Sequence, residues 1–292
     1  MPSKFAVGVA AGASAGLHRR LEGMRSSAPG PLLKAALWDM DGTIVDTEPY
    51  WIEAERALVE AHGGLWSHDQ AMQLVGQSLM FSAGILQAAG VAMERREIID
   101  TLTGHVVSQV RKSVPWRPGA RELLDDLYNA GIRCALVTMS EAPLAREIVA
   151  SLPRPYFEFL VTGDTVAQGK PHPEAYLTAV GLLQQQDPEL DLHHCVALED
   201  SVPGVAAAVA SGVVTVAIPH ILPLPHGPRR ATWDTLEGRT VADLEELVAL
   251  RHEFPDATFG RAAEATAESA ADSTARAVEH RAVPSTAGHV RG

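Results

Sequence analysis

Short apolar runs alternate with longer amphipathic runs through the middle of the chain. Five short runs rich in Val, Leu and Ala predict strands at 34–39, 132–138, 159–162, 195–198 and 213–218. Helical periodicity lies between them, at 118–130, 144–152, 173–183 and 203–211. Because the strand runs are continuously apolar, they predict an α/β fold with a doubly wound (Rossmann-like) parallel sheet covered on both faces.

One segment interrupts this alternation. From 48 to 114 there is no strand signal, and helical patterns occur at 53–61, 69–75, 82–89 and 95–112. An all-helical insertion directly after the first strand is typical of a lid over the edge of the sheet. We therefore expect a catalytic core made of 34–46 and 115–252, with a helical cap at 47–114. The basic residues of the cap are expected to be mainly solvent-facing: Arg56, Arg95, Arg96, Arg111 and Lys112.

The two ends of the chain have a different composition. Residues 1–33 are rich in Ala, Gly, Ser and Pro, and no Leu, Ile, Met or aromatic residue follows Phe259. Such segments cannot bury enough apolar surface to become ordered. We expect a disordered N-terminal extension at 1–33 and a disordered C-terminal tail at 253–292.

Composition restricts the partners and the compartment. The 292 residues are 46% hydrophobic and carry a net charge of −12, which argues against nucleic-acid and anionic-membrane surfaces. No run reaches the ~18 apolar residues of a membrane span. The two cysteines, Cys134 and Cys195, lie in strand-like runs and predict buried thiols rather than a disulfide framework. This cysteine usage fits a cytoplasmic protein.

The strongest chemical signal is the pentapeptide Asp39-Met40-Asp41-Gly42-Thr43. It places two carboxylates two residues apart, where the first buried strand should end. That edge of a parallel sheet is where α/β proteins place their chemistry. One carboxylate can act as a nucleophile, the second can transfer protons, and together they can hold a divalent cation.

Three further motifs follow in order along the chain: Leu-Val-Thr-Met-Ser at 136–140, Gly-Lys-Pro-His-Pro at 169–173 and Leu-Glu-Asp-Ser at 198–201. Two of them close predicted strands, and the lysine motif opens a helix. Because the ends of parallel strands converge, we expect a hydroxyl, an ammonium group and an acidic pair to meet the two aspartates. A phosphate could bind there despite the negative net charge.

With these four motifs in this order, residues 34–250 resemble the haloacid-dehalogenase-superfamily hydrolases with an inserted helical cap. The similarity is to the branch that contains β-phosphoglucomutases and small sugar-phosphate phosphatases. It implies that Asp39 is the nucleophile and forms an aspartyl-phosphate. Asp41 would be the general acid for the leaving alcohol and then the general base for water, and Lys170 would neutralise the phosphate and orient Asp39.

The resemblance also implies a cofactor, Mg²⁺. Its expected ligands are the carboxylates of Asp39 and Asp200 and the backbone carbonyl of Asp41, with Glu199 as direct or water-mediated support. The family is capped, so a monomer is expected.

The resemblance further implies a phosphate site and an unusual peptide bond. Thr138 and the backbone N–H of Met139 would bind phosphoryl oxygens. The Lys170–Pro171 bond is a candidate cis peptide.

The cap entrance favours hydrolysis over transfer to a second sugar. β-Phosphoglucomutases carry a histidine twelve residues after the nucleophile, where this chain has Trp51. The stretch from Glu48 to Trp51 is similar to the Glu-Pro-x-Trp of hexose- and hexitol-phosphate phosphatases. The first hypothesis is a Mg²⁺-dependent phosphatase that acts on a small phosphorylated metabolite. The expected metabolite is a sugar phosphate. A phosphosugar mutase and a catalytically silent member of the fold stay open. Candidate substrate-binding residues in the cap are Thr47, Glu48, Trp51 and Gly76.

Overall fold

Six parallel strands form one sheet in the order β3-β2-β1-β4-β5-β6. The computed structural model describes residues 32–225 and 227–253. The strands are β1 (Ala35–Trp38), β2 (Arg133–Val137), β3 (Phe157–Val161), β4 (Cys195–Glu199), β5 (Val214–Ala217) and β6 (Arg230–Thr232). The predicted α/β class with its parallel sheet is confirmed.

The central strand β1 brings three strand ends to one level. Trp38 pairs in register with Leu136 of β2 and with Leu198 of β4. The residues that follow these positions therefore emerge side by side at the carboxyl edge of the sheet. All residues of β1, β4 and β5 are buried, which explains why their sequences are continuously apolar rather than alternating.

Four helices form the insertion between β1 and the rest of the sheet. They are α1 (Glu48–Ala61), α2 (His68–Met72), α3 (Leu79–Ala88) and α4 (Arg95–Val110). We call residues 48–110 the helical insertion. Helix α1 begins five residues before the predicted start, because Pro49 lies in the first turn, where its missing N–H costs no hydrogen bond.

The remaining helices cover the sheet. They are α5 (Ala120–Asn129), α6 (Ala142–Ala150), α7 (Glu174–Gln184), α8 (Val202–Ser211) and α9 (Val241–Glu253). On one face, Tyr176, Ala179 and Leu183 of α7 pack in a common apolar cluster with Leu37 and Ala135 of the sheet. Neither β6 nor α9 was predicted from the sequence. The three residues of β6 carry no apolar run that could have marked them as a strand.

Two ion pairs connect α4 and the residue after it to α6 and the residue before it. Arg96 donates two hydrogen bonds of 2.7 Å to Glu141, and Arg111 donates bonds of 3.0 and 2.8 Å to Glu147. Both arginines are substantially exposed. They therefore do more than face solvent, because they fix α4 against α6.

The predictions for the chain ends lie mostly outside the described residues. Leu33, the last residue of the predicted N-terminal extension, is fully buried. Cys134 and Cys195 are buried free thiols, as expected. Among the helices that the structure describes, none combines the length and the apolar character needed to cross a bilayer.

Candidate active site

The carboxyl edge of the sheet carries most of the residues that the four motifs singled out. Asp39 and Asp41 follow β1, Thr138 follows β2, and Asp200 follows β4. Lys170 reaches the same point from the segment that precedes α7. These five residues line one cleft of about 810 Å³, part of which is open to solvent.

Lys170 lies at the centre of the buried charges. Its Nζ is 2.7 Å from Asp39 Oδ1 and 2.6 Å from Glu199 Oε1, and it donates a 2.8 Å hydrogen bond to the carbonyl of Val137. Burial by itself lowers the pKa of Lys170, but the charges of Asp39 and Glu199 outweigh it, and the net direction is upward. Lys170 is therefore a permanent cation in the cleft. The peptide bond that follows it, Lys170–Pro171, is cis, as predicted.

Two of the buried carboxyl groups resist ionisation. Burial raises the pKa of Asp39 to about 7, with Glu199 adding to the shift and Lys170 opposing it. Burial also raises the pKa of Asp200 well above its usual value, and the neighbouring Asp39 and Glu199 reinforce the effect. One lysine does not balance this number of carboxyl groups, so the site has room for further positive charge.

The donor set fits a divalent cation. Asp39, Glu199 and Asp200 each offer one oxygen, and these oxygens lie within 4.8 Å of one another. Asp39 Oδ2 and Asp200 Oδ1 are buried and have no hydrogen-bond partner among the described residues. Oxygen ligands of this kind suit a small hard cation.

A glycine turn supports the same site. Gly42 has a φ of +88°, and a Cβ atom at this position would overlap the carboxylate of Asp200. Glycine therefore allows the backbone after Asp41 to turn directly against Asp200. Any side chain at residue 42 would displace one of the proposed ligands.

Asp41 accepts hydrogen bonds from two parts of the chain. Thr47 Oγ1 and, at 3.5 Å, Trp51 Nε1 donate to Oδ1 from the start of α1. Thr138 Oγ1 at 3.3 Å and Ser140 Oγ at 2.7 Å donate to Oδ2 from the end of β2. These four donors hold the carboxyl group in one orientation and tie the helical insertion to the sheet.

Residues outside the cleft fix the position of the Glu199 carboxylate. The buried Tyr176 hydroxyl donates a 2.5 Å hydrogen bond to Glu199 Oε1, and Lys170 Nζ lies 5.3 Å from the centre of the Tyr176 ring. Burial raises the pKa of Tyr176 well above its usual value, which keeps the hydroxyl a donor. A Cβ atom at Gly204 would overlap the Glu199 carboxylate, so α8 must present a glycine there.

The wall of the cleft contains both expected and unexpected residues. Of the predicted substrate-binding residues, those that line it are Glu48, Trp51, Gly76, Thr138 and Met139. Thr47 is fully buried, bonds to Asp41 and is not part of the lining.

Several residues of the site were missed: Glu55, Ser140, Tyr176 and His220. Glu55 follows Glu48 by seven residues, two turns along α1, and this spacing could have revealed it. Ser140 lies within one of the four motifs. No sequence signal marked Tyr176 or His220.

Comparison with known proteins identifies the family. The model of the haloacid dehalogenase-like hydrolases matches residues 33–212, more than half of the chain. The chain belongs to this hydrolase family. The resemblance that the four motifs indicated is therefore confirmed.

Two curated relatives of this haloacid dehalogenase-like hydrolase are phosphatases. One is the phosphorylated carbohydrates phosphatase of Thermotoga maritima, 32% identical over 192 residues, which cover 62% of this chain and 82% of that protein. Another is hexitol phosphatase A of Escherichia coli, 33% identical over 191 residues, with coverage of 63% and 82%.

Solved structures of low identity share the fold of this hydrolase. CbbY from Rhodobacter sphaeroides, crystallised with phosphate, aligns with a TM-score of 0.64 at 24% identity, covering 73% of this chain and 99% of that one. A β-phosphoglucomutase from Clostridium difficile aligns with a TM-score of 0.63 at 20% identity, covering 74% and 97%. At these identities the likeness concerns the fold alone.

Proposed function

We propose that this hydrolase is a Mg²⁺-dependent phosphatase that removes phosphate from a small phosphorylated carbohydrate. The observation that carries the proposal is the contact of Lys170 with Asp39, beside the unpartnered oxygens of Asp39 and Asp200. This arrangement combines a nucleophile with positive charge and metal-ligand capacity. The phosphatase relatives, each matched over 82% of its length, support the same reaction.

The first half of the reaction belongs to Asp39. Its carboxylate attacks phosphorus, so a new O–P bond forms as the bond from phosphorus to the substrate alcohol breaks. Asp41 gives a proton to the departing alcohol oxygen. Thr138 and the backbone N–H of Met139 hold phosphoryl oxygens, and Lys170 offsets their negative charge.

The second half regenerates Asp39. Asp41, now a carboxylate, takes a proton from water, and the water oxygen attacks phosphorus of the aspartyl-phosphate. Inorganic phosphate leaves, and the Asp39 carboxylate is restored. The hydrogen bonds from α1 and from Ser140 orient the Asp41 carboxyl group, while Thr138 turns its hydroxyl to the phosphoryl group. A protonated Asp41 accepts one bond fewer, because its proton occupies one acceptor position.

The proposed metal ligands are Asp39, Asp200 and the backbone carbonyl of Asp41, with Glu199 in support. When bound, Mg²⁺ would neutralise negative charge on the phosphate and on the surrounding carboxylates. Glu199 also holds Lys170 in place through the 2.6 Å ion pair.

We further propose that residues 47–114 act as a cap on a core of 34–46 and 115–252. Thr47 and Trp51 contact Asp41, so the position of α1 is coupled to the proton-transfer group. Trp51 occupies the position where a mutase would need a histidine, which favours transfer of the phosphoryl group to water. Every proposed catalytic group comes from one chain, which supports a catalytically competent monomer.

Release of inorganic phosphate tests this function. The purified protein should release phosphate from a panel of hexose and hexitol monophosphates with Mg²⁺ present and should stop when EDTA is added. Incubation of β-glucose 1-phosphate with a bisphosphate primer should give phosphate rather than glucose 6-phosphate. No phosphate release from any member of the panel would overturn the proposal, and net isomerisation would replace it with a mutase.

A further inference from the structure

The side of the cleft formed by α1 carries two carboxyl groups that the proposed reaction does not use. Glu48 and Glu55 lie two turns apart and both line the cleft. Glu55 is only 5% exposed, and its Oε2 accepts a 3.3 Å hydrogen bond from Trp66 Nε1. No hydrogen bond among the described residues engages its other oxygen. The side chain therefore presents an acceptor to the cleft.

Positive charge is scarce along the same lining. Among its described residues, Lys170 is the single lysine or arginine, and it is committed to Asp39, Glu199 and the Val137 carbonyl. His220 faces the nearby carboxylate of Asp46, with 2.9 Å between Nε2 and Oδ1 but no well-directed hydrogen bond. Beyond Lys170, the described lining thus offers no lysine or arginine to receive a second anionic group, and His220 lies against Asp46.

We infer that the substrate is a monophosphate with an uncharged, hydroxyl-rich leaving group, whose hydroxyls bond to Glu48 and Glu55. This inference rests on the proposed phosphatase function and specifies its substrate class. A carboxyl oxygen accepts hydrogen bonds from hydroxyl groups, so a polyol chain supplies the donors that match Glu48 and Glu55. A second phosphate or a carboxylate placed there would meet acidic side chains and no free lysine or arginine.

The protonation of Glu48 and Glu55 sets how strongly this side of the cleft repels a second anion. Burial raises the pKa of Glu48 to about 8, with Glu55 and Asp41 contributing, and burial raises the pKa of Glu55 to about 7. Near neutral pH these two carboxyl groups are therefore partly protonated, and both are ionised only above about pH 8. A protonated carboxyl still accepts a hydrogen bond and can donate one as well, so both forms match hydroxyl groups.

One feature near the cleft works in the opposite direction. The N-terminus of α3 is part of the lining through Leu79, and helix N-termini attract anions. Its cap, the Ser78 hydroxyl, is engaged by the N–H of Phe81. Turnover of a substrate with a second phosphate shows whether the N-terminus of α3 offsets the negative charge of Glu48 and Glu55.

The experiment compares three substrates that differ at one carbon. Sorbitol 6-phosphate has a hydroxyl at C1, 6-phosphogluconate has a carboxylate there, and sorbitol 1,6-bisphosphate has a second phosphate. Above about pH 8, where Glu48 and Glu55 are both ionised, we expect kcat/KM for the neutral substrate to exceed both others by at least about tenfold, because of like-charge repulsion. Equal or higher kcat/KM for the bisphosphate or the acid would overturn the inference.

Substitutions in α1 test whether Glu48 and Glu55 cause this substrate selectivity. Glu48→Gln and Glu55→Gln should raise KM for sorbitol 6-phosphate. They should also lower the ratio of kcat/KM for this substrate to kcat/KM for the charged substrates by about threefold to tenfold. Glu60→Gln, an exposed glutamate of the same helix, is the matched control and should leave the preference unchanged. An unchanged preference in both cleft variants would also overturn the inference.

A non-carbohydrate substrate separates this inference from the proposed function. p-Nitrophenyl phosphate has no hydroxyl chain, so its turnover depends on the phosphate site and not on Glu48 or Glu55. Hydrolysis of this compound without preference among the three sugar derivatives would overturn the selectivity alone. Absence of hydrolysis of all four compounds would overturn the phosphatase assignment, and the inference with it.

Discussion

At the scale of single residues, buried carboxyl groups dominate the cleft. Glu55 offers the cleanest test, because it lies apart from the proposed metal ligands. Burial raises its pKa from 4.5 to about 7, and the hydrogen bond from Trp66 only partly offsets this. The folded state thus binds this proton more tightly than the unfolded chain does. The resulting stabilisation is complete below about pH 4.5 and is lost as the pH rises to about 7.

The Glu55→Gln variant should remove this pH dependence. Relative to the variant, the wild type should lose about 2 to 3 kcal/mol of unfolding free energy between pH 4.5 and pH 8. Urea denaturation of both proteins at the two pH values measures the difference. If the difference in unfolding free energy between the proteins stays constant with pH, Glu55 does not titrate as described.

Most of the proposed site residues could be predicted because they directly follow the ends of strands. Asp39, Thr138 and Asp200 each follow an apolar run, and parallel strands bring such ends together. Tyr176 could not be found this way. Its role depends on how α7 packs over the sheet so that its hydroxyl meets Glu199, and spacing in the sequence does not encode that contact.

At the scale of elements, the backbone of one helix lies so close to the site that a side chain larger than that of glycine does not fit there. The first turn of α8 lies against Glu199, and a Cβ at Gly204 would overlap the carboxylate. Gly181, in α7, has no atom within 4 Å of an added Cβ. These two helical glycines therefore predict opposite outcomes for the same substitution.

Gly204→Ala should destabilise the protein by about 1 to 3 kcal/mol, because the buried Glu199 must move from a well-packed position. Phosphate release should also fall, since Glu199 holds Lys170. Gly181→Ala should stabilise α7 by about 0.5 to 1 kcal/mol and leave activity unchanged. Urea unfolding and a phosphate-release assay measure both variants, and equal effects of the two substitutions would refute the close contact.

The ion pair between α4 and the start of α6 should influence closure of the helical insertion. Arg96 bonds Glu141 at 2.7 Å from two nitrogens, whereas its neighbour Arg95 bonds only Gln87 within the insertion. Exposed pairs contribute about 0 to 1 kcal/mol to stability, so Arg96→Gln should barely change unfolding. It should lower kcat/KM by about twofold to fivefold through a less populated closed state.

Ionic strength provides the control for this pair. High salt should lower the kcat/KM of the wild type and of Arg95→Gln more than that of Arg96→Gln, because salt screens the pair that the last variant lacks. The measurement is kcat/KM for one monophosphate at low and high NaCl. Identical salt dependence in all three proteins would contradict a role for Arg96 in closure.

The boundaries of the elements show where sequence patterns are weak. Strands β1, β2 and β4 lie within two residues of their predictions, because their apolar runs are continuous and end at polar motifs. The start of α1 was placed too late, since Pro49 has low helix propensity except in a first turn. The short strand β6 depends on pairing with β5, which local sequence does not reveal.

At the scale of the whole molecule, charge poses the main problem for a phosphatase. The chain carries a net charge of −12, and several of its carboxyl groups surround one lysine in the cleft. A phosphate dianion entering this field needs local positive charge. Mg²⁺ bound at Asp39 and Asp200 would supply it, so metal and substrate binding should reinforce each other.

Metal binding should therefore stabilise the folded protein. At a Mg²⁺ concentration about 100 times Kd, linkage predicts about 2.7 kcal/mol of added stability, which appears as a higher melting temperature. Asp200→Asn should abolish this shift, whereas Asp234→Asn, at an exposed position, should retain it. A shift that persists undiminished in Asp200→Asn would place the metal elsewhere.

The central claim is that Asp39 attacks phosphorus in a Mg²⁺-dependent phosphatase, and the Asp39→Asn variant tests it most directly. Steady-state phosphate release from a hexitol monophosphate should be measured for the wild type, Asp39→Asn and the exposed control Asp234→Asn. We predict that Asp39→Asn loses at least about a thousandfold in kcat, while the control matches the wild type. Turnover by Asp39→Asn at the wild-type rate would contradict the claim.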